Sequence, residues 1–476
     1  MLSGADPFWW RLANLVLHLL GGALVFAIAR RLGESIGNEQ AVAGPAFVAA
    51  VFLWFPTNVE AVAWVSGRYD LLATLFMLAT VLCFQQSRRW RDGWSVAAFI
   101  AALFAFASKE SAALLPVFVL TIAIAQRWQV GAGAAVARGV CAAAPWLIVA
   151  AAYVLLRAAI FGTPFQVYPG TAPLAALLHG DWLQAPASSG AWFAAVRPNP
   201  FARTVFLTSL IGLVLVSACM PRRELCVPWL AIGAVALLSV GLLLPPLTAL
   251  PPTGEGGRLF YTTAALLALL VAFTLWVPSH DNGRGLVRLV AATLALTLLI
   301  SEAVLLRAAI APWSDAGMQA TALLQALPAL ARTIPDDDYG IVVVPDHLGA
   351  VPFGRSAQGG LISPPAQPAP LSSRLVVQTP GDLPSWPSHV ARGLVDALQR
   401  YPLAEARPAV EAGGARGPGS RHRTHSVGTR ATARSCSSIG CVRSPVAIGS
   451  LRGKARSPAA RAGRPRASWP ETDFRD

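Results

Sequence analysis

The chain has 476 residues, of which 55% are hydrophobic and 13% are charged. Soluble domains carry roughly 25% charged residues, so the composition excludes an ordinary soluble protein and predicts a membrane protein. The net charge of +14 comes mainly from residues 412–476, which hold 13 of the 38 Lys and Arg but 3 of the 24 acids. Because no folded basic module accompanies this excess, nucleic acid is not an expected partner.

Long apolar runs predict about ten transmembrane helices. The predicted segments are residues 11–30, 41–56, 70–86, 94–108, 110–126, 138–157, 204–220, 226–246, 259–277 and 286–306. Every second short loop is rich in Arg, and such loops face the cytoplasm. We therefore expect an all-α polytopic protein of the bacterial inner (plasma) membrane, whose other loops and active face are periplasmic.

The first segment carries two polar residues in its outer half. Asn14 and His18 are four residues apart and so share one face of a helix. A polar contact between two membrane helices explains this pair as well as a functional site does.

The stretch FPTNVEAVAWVSGRYDLL, residues 55–72, places three ionisable groups in the outer connection between the second and third segments. If this stretch is helical, Glu60, Trp64 and Arg68 fall on one side, and the helix can lie flat at the membrane interface. Alternatively, Arg68 and Asp70 cap the third segment and pair with each other.

Two further outer connections are charged. Lys109 and Glu110 stand between the fourth and fifth segments, and Glu255 and Arg258 precede the ninth. An ordinary outer turn, or a solvated loop for Glu255, explains each pair alone. Because polar groups near membrane depth are costly, their gathering on one face predicts a site.

These residue types suit a lipid-linked sugar donor. Its phosphate lies at headgroup level and needs cations, for which Arg68, Lys109 and Arg258 are the candidates. The acceptor hydroxyl needs a carboxylate to take its proton. Glu60, Asp70 and Glu110 are the candidate carboxylates, with Glu60 and Asp70 assigned as catalytic; alternatively, these residues orient the cations. No cofactor is specified, and a divalent metal remains open.

The C-terminal part changes character twice. Residues 310–411 predict a small extracytoplasmic α/β domain, with a buried strand in DDDYGIVVVPDHLG and an amphipathic helix at 389–401. Residues 412–476 are rich in Arg, Ser, Gly and Pro without apolar periodicity, so we expect a disordered tail. A natural basic tail and a frameshifted reading frame both explain this composition. The predicted domains are therefore 1–309, 310–411 and 412–476.

Four stretches in this order resemble the polytopic GT-C-type glycosyltransferases, above all the membrane portion of the transmembrane-and-TPR protein O-mannosyltransferases. They are NLVLHLLGGALVFAIARRL, FPTNVEAVAWVSGRYDLLATLFMLA, SKESAALLPVFVL and GRLFYTTAALLALL, and the resemblance covers roughly residues 4–306. The matching positions are Glu60, Gly67, Arg68, Asp70, Lys109, Glu110, Arg258 and Tyr261. Phe55 stands where the family has His, and Gly257 where it has Glu.

The resemblance implies inverting transfer of a sugar from a polyprenyl-phosphate donor to a protein, glycan or lipid acceptor at the outer face. Asn14, His18, Glu110 and Tyr261 would support the site. The family's TPR array is absent, and the chain starts after the helix and outer loop that carry the family's catalytic acid. Two explanations stay open: the natural protein is longer and includes that helix and loop, or the chain as given is inactive. A transporter or flippase of a lipid-linked substrate and a non-catalytic membrane scaffold are the alternatives.

Overall fold

The structure, a computed structural model, is mostly helical and describes residues 7–35, 42–87, 92–127, 131–162, 199–219, 232–236, 238–239, 256–275, 285–334, 339–348, 351–354, 358–364, 366–379, 410–411 and 447–451. Within these ranges, four helices are long and apolar enough to cross a membrane: Pro7–Glu34, Val65–Gln86, Gly133–Phe161 and Gly285–Thr333. These helices confirm the prediction of a membrane protein.

Helices follow one another along the first part of the chain. They are α1 (Pro7–Ser35), α2 (Ala43–Trp54), α3 (Asn58–Ala63), α4 (Arg68–Gln86), α5 (Gly93–Ser108), α6 (Leu115–Arg127), α7 (Ala132–Phe161), α8 (Pro200–Cys219), α9 (Tyr261–Leu275) and α10 (Gly285–Thr333). Short 3₁₀ helices at Val65–Gly67, Glu110–Leu114 and Gly257–Phe260 precede α4, α6 and α9. Of the segment predicted at 226–246, only residues 232–236 and 238–239 are described, so the count of ten spans stays a prediction.

The helices pack through small residues. At Gly22 of α1, a Cβ atom would lie 2.7 Å from the Leu53 side chain of α2, and at Gly21 it would lie 3.3 Å from Phe52. Glycine at both positions therefore lets the two helices approach closely, as is usual between membrane helices. α1 also packs on α4, α4 on α5, and α6 on α7.

The connection between α2 and α4 is not one continuous helix, which is the condition under which Glu60, Trp64 and Arg68 would share a face. Pro56 lacks an N–H, so the Phe52 carbonyl loses its usual donor four residues on, and the Asn58 side-chain amide donates to it instead at 2.7 Å. α3 then ends at Ala63, because Trp64 adopts an extended conformation. The prediction that Glu60, Trp64 and Arg68 share one helix face is therefore wrong.

The last long helix, α10, has 49 residues. At 1.5 Å per residue it is about 73 Å long, more than twice the roughly 30 Å hydrocarbon core of a bilayer. The predicted end of the tenth segment at residue 306 and the predicted boundary at 309/310 both lie inside it. A polar and Pro-containing sequence after residue 306 favoured an earlier end, but Pro312 and Pro328 are accommodated within the helix.

Contacts divide the chain into two compact units, Met1–Ala320 with His347–Phe353 and Thr321–Asp346 with Gly354–Asp476. A short hairpin in the first unit pairs β2 (His347–Leu348) with β3 (Val351–Pro352). The second unit contains the short helix α11 (Gln358–Leu361) and the strands β1 (Tyr339–Val343), β4 (Leu375–Gln378), β5 (Val410–Glu411) and β6 (Ala447–Leu451). These strands form a four-stranded sheet in the order β4-β1-β6-β5.

The sheet is mixed, because β1 pairs in parallel with β4 and antiparallel with β6. The predicted disordered tail, residues 412–476, contains the strand β6 (Ala447–Leu451), so the structure differs from the prediction at these five residues. This short run includes Ile448 and Leu451 and pairs along all of β1. The helix predicted at 389–401 and the rest of residues 412–476 lie outside the described residues. The three predicted domains stay predictions.

Candidate functional site

Six of the predicted site residues lie where α1, α3, α4 and α5 meet the segment before α9. Four of them, Asn14, Arg68, Glu60 and Arg258, are linked directly or through Trp64. The other two, Asp70 and Lys109, form an ion pair, and the charge of Arg258 acts on Asp70. We call this set, Asn14, Glu60, Arg68, Asp70, Lys109 and Arg258, the polar cluster.

Arg68, the first residue of α4, binds α1. Its Nε donates to Asn14 Oδ1 at 3.1 Å and its Nη2 donates to the Trp10 carbonyl at 3.1 Å. The guanidinium also lies over the Trp10 ring, 4.7 Å from its centroid. These partners are neutral, so the contacts orient Arg68 without neutralising its charge.

Asn14 connects α1 to the last turn of α3 and to the loop that follows it. It is fully buried, and its amide nitrogen donates to the carbonyls of Val62 at 3.2 Å and Trp64 at 3.0 Å. Since its oxygen accepts from Arg68, one side chain connects α1, this loop and the start of α4.

Glu60 holds the segment that leads into α9. Its Oε2 accepts the backbone N–H groups of Gly256 at 2.9 Å and Gly257 at 2.7 Å. Gly256 has φ +116°, which favours glycine, and a Cβ at Gly257 would lie 2.9 Å from the Thr57 carbonyl. A side chain at residue 257 would therefore crowd the Thr57 carbonyl, so these contacts favour Gly there.

Arg258 follows directly and faces the same carboxylate. Its Nε is 3.7 Å from Glu60 Oε1, and its guanidinium lies 3.8 Å from the centroid of the Trp64 ring. Only 15% of the Arg258 side chain and 8% of the Glu60 side chain are exposed. A cation with restricted water contact interacts more strongly with an anion than a solvated one does.

Asp70 pairs with Lys109 and not, as one prediction had it, with Arg68. The two side chains come from α4 and from the turn after α5, and are 8% and 18% exposed. The charges of Arg258 and Glu110 also act on the Asp70 carboxylate. Asp70 therefore binds the Lys109 turn through an ion pair, and the charge of Arg258 acts on it from the segment before α9.

The predicted supporting residues lie around this cluster. His18 and Tyr261 contact each other, with 2.8 Å between Nδ1 and the phenol oxygen, and His18 Nε2 is 3.1 Å from the Leu53 carbonyl. Because a carbonyl only accepts, Nε2 carries the hydrogen and Nδ1 accepts from Tyr261. Glu110 faces Arg157 of α7 at 3.9 Å.

Glu255 lies outside the described residues, and within the described ranges no three His, Cys, Asp or Glu side chains are grouped to hold a metal ion.

Several residues contribute to this region without having been predicted from the sequence. Trp10 and Arg157 carried no motif that pointed to them. Thr74 and Thr262, whose hydroxyl oxygens are 2.7 Å apart, lie four residues after Asp70 and Arg258, so helical spacing could have identified them.

Three curated relatives match short parts of the chain. It is 37% identical over 90 residues to the protein O-mannosyl-transferase Tmtc2 of Drosophila melanogaster, which is 19% of this chain and 9% of that protein. It is 33% identical over 87 residues to TMTC1 of Mus musculus, covering 18% and 9%. It is 31% identical over 115 residues to Drosophila Tmtc1, covering 24% and 12%.

The matched part thus spans about a tenth of the length of each of these relatives. No family model matches the chain, and no solved structure matches it.

Proposed function

We propose that the chain is a GT-C-like membrane glycosyltransferase with about ten spans and a small outer α/β domain. It transfers a sugar from a polyprenyl-phosphate donor to a protein or glycan acceptor at the outer, periplasmic face of a bacterial inner membrane. The relatives are named as protein O-mannosyl-transferases, which favours mannose as the sugar and protein as the acceptor. The observation that carries the proposal is the polar cluster, which gathers three cations and two carboxylates.

The cations serve the donor phosphate. Arg258 stacks on Trp64 and Arg68 stacks on Trp10, so each guanidinium is held by an aromatic ring and oriented before a ligand arrives. A preoriented guanidinium offers phosphate a fork of N–H donors at little entropic cost. Lys109 adds a third cation beside Asp70.

The two carboxylates have different tasks. Glu60 Oε2 already accepts two backbone N–H groups, so this residue positions Arg258 and the glycines before it. Asp70 is bound by a side chain, the Lys109 ammonium, which can turn toward an incoming phosphate. We therefore assign Asp70 as the candidate base and Glu60 as a positioning residue.

Transfer then proceeds by a single displacement at the anomeric carbon of the donor sugar. The acceptor hydroxyl oxygen bonds to the anomeric carbon as the bond from that carbon to the donor phosphate oxygen breaks. The phosphate leaves with the electron pair and is stabilised by Arg68 and Arg258. The hydroxyl proton passes to the Asp70 carboxylate.

The test is binding of a polyprenyl-phosphate mannose to the purified chain in detergent. Arg258→Ala should weaken binding about ten- to a hundredfold, because a lost charge-assisted contact costs about 1.5–3 kcal/mol. The matched control is Arg307→Ala, which removes an exposed arginine of α10 and should leave binding unchanged. Equal affinities of the parent and Arg258→Ala, or no saturable binding by the parent, would reject the proposal.

A further inference from the structure

A second polar layer lies one helical turn from the polar cluster. Three cluster residues are each followed, four positions later, by a buried polar residue. The pairs are Asn14 and His18, Asp70 and Thr74, and Arg258 and Thr262. On α1 and α4 the two residues of a pair lie on one face of the same helix. Arg258 lies in the 3₁₀ helix that leads into α9, and Thr262 is the second residue of α9.

The members of this layer bind each other across the helices. Tyr261 donates to His18 of α1, and Thr262 bonds Thr74 of α4 with 2.7 Å between the hydroxyl oxygens. The next residue, Thr263, lies 2.9 Å from the hydroxyl of Ser239. Three consecutive residues at the start of α9 thus each bond a different segment.

This pattern differs from that of the other helical hydroxyls. Thr80, Thr121 and Thr297 each donate to a carbonyl of their own helix three or four residues back, at 2.7–2.8 Å. This bond within the helix is common for Thr and does not connect the helix to another segment. A hydroxyl that bonds another helix instead fixes how the two helices are rotated against each other.

We propose that Tyr261, Thr262, His18 and Thr74 are positioning residues, which set the rotation of α9 so that Arg258 faces Glu60. The 3₁₀ helix that carries Arg258 continues directly into α9, four residues before Thr262, so a rotation of α9 about its axis would carry the Arg258 guanidinium off the Trp64 ring. The role in donor binding rests on the proposed function; the positioning of Arg258 does not.

The test compares Thr262→Val with Thr262→Ser. Valine keeps the shape and loses the hydroxyl, whereas serine keeps the hydroxyl. We expect Thr262→Val to weaken binding of a polyprenyl-phosphate mannose about three- to tenfold, the effect of one hydrogen bond, and Thr262→Ser to restore the parent affinity. Thr297→Val, which removes a hydroxyl bonded within its own helix, is the control and should bind like the parent.

A second measurement does not need the donor. The amides of Gly256 and Gly257 donate to Glu60, so their hydrogen exchange reports whether the Arg258 segment is held. Thr262→Val should accelerate this exchange, and Thr262→Ser and Thr297→Val should not. Unchanged exchange in Thr262→Val would overturn the inference, even if the parent binds the donor. Accelerated exchange in Thr262→Val, together with a parent that binds no donor, would keep the inference and reject the proposed function alone.

Discussion

The Lys109–Asp70 pair allows a quantitative test of the cluster. Lys109→Met removes the ammonium and keeps the length of the side chain. The Asp70 side chain, only 8% of which is exposed, then has no ion-pair partner at Lys109. Removing one member of a buried ion pair destabilises a protein by about 3–5 kcal/mol. Because 18% of the Lys109 side chain is exposed and water already reaches it, we expect the lower end, about 3 kcal/mol.

The assay is the free energy of unfolding in detergent micelles, measured on Lys109→Met, Asp70→Asn and the double variant. The double variant should be more stable than the sum of the single losses predicts, because both charges leave together. Arg30→Met is the control, since Arg30 is 56% exposed in its pair with Glu34 and such pairs contribute at most about 1 kcal/mol. Additive losses, or a Lys109→Met variant as stable as Arg30→Met, would refute the reasoning.

Three further predictions concern stability and binding. Gly67→Ala should destabilise the fold by about 1–3 kcal/mol, because the added Cβ would collide with the Ala61 carbonyl oxygen. Gly93→Ala, which has open space around it, should not destabilise the fold, and thermal unfolding of both variants checks this. Glu60→Gln keeps an acceptor for the two glycine amides but loses the ion pair, so it should fold normally and bind donor more weakly, whereas Glu60→Ala should also lose about 1–3 kcal/mol of stability. Glu302 is fully buried, and neither of its oxygens has a hydrogen-bond partner among the described residues, so Glu302→Gln should equal or exceed the parent in unfolding free energy.

The sequence predicted which residues belong to the cluster better than it predicted their partners. Polar residues at the ends of apolar segments stand out because they are costly there, so Asn14, Arg68 and Lys109 could be identified one at a time. Asp70 and Lys109 are 39 residues apart, and no local pattern indicates that they pair rather than Asp70 with Arg68. Such pairing depends on how α4 and α5 pack.

The ends of two helices, α3 and α10, also could not be predicted from the local sequence pattern. The helix break at Trp64 depends on Gly67, whose backbone packs against the Ala61 carbonyl. The spacing of apolar residues along the sequence does not indicate this contact. α10 continues past residue 306 because its apolar residues recur, at Ala309, Ala316 and Leu323, on one buried side although the sequence becomes more polar. Mean hydropathy detects the membrane part of such a helix and misses the rest.

The most direct test of the central claim is where the donor binds. A photoreactive polyprenyl-phosphate mannose should be cross-linked to the purified chain, and the labelled peptides identified by mass spectrometry with and without an excess of unreactive donor. The proposed function predicts competed labelling in the peptides that contain residues 58–70 and 256–262. Competed labelling confined to the opposite ends of α1 and α4, around Arg31 and Gln86, with none in those two peptides, would contradict it.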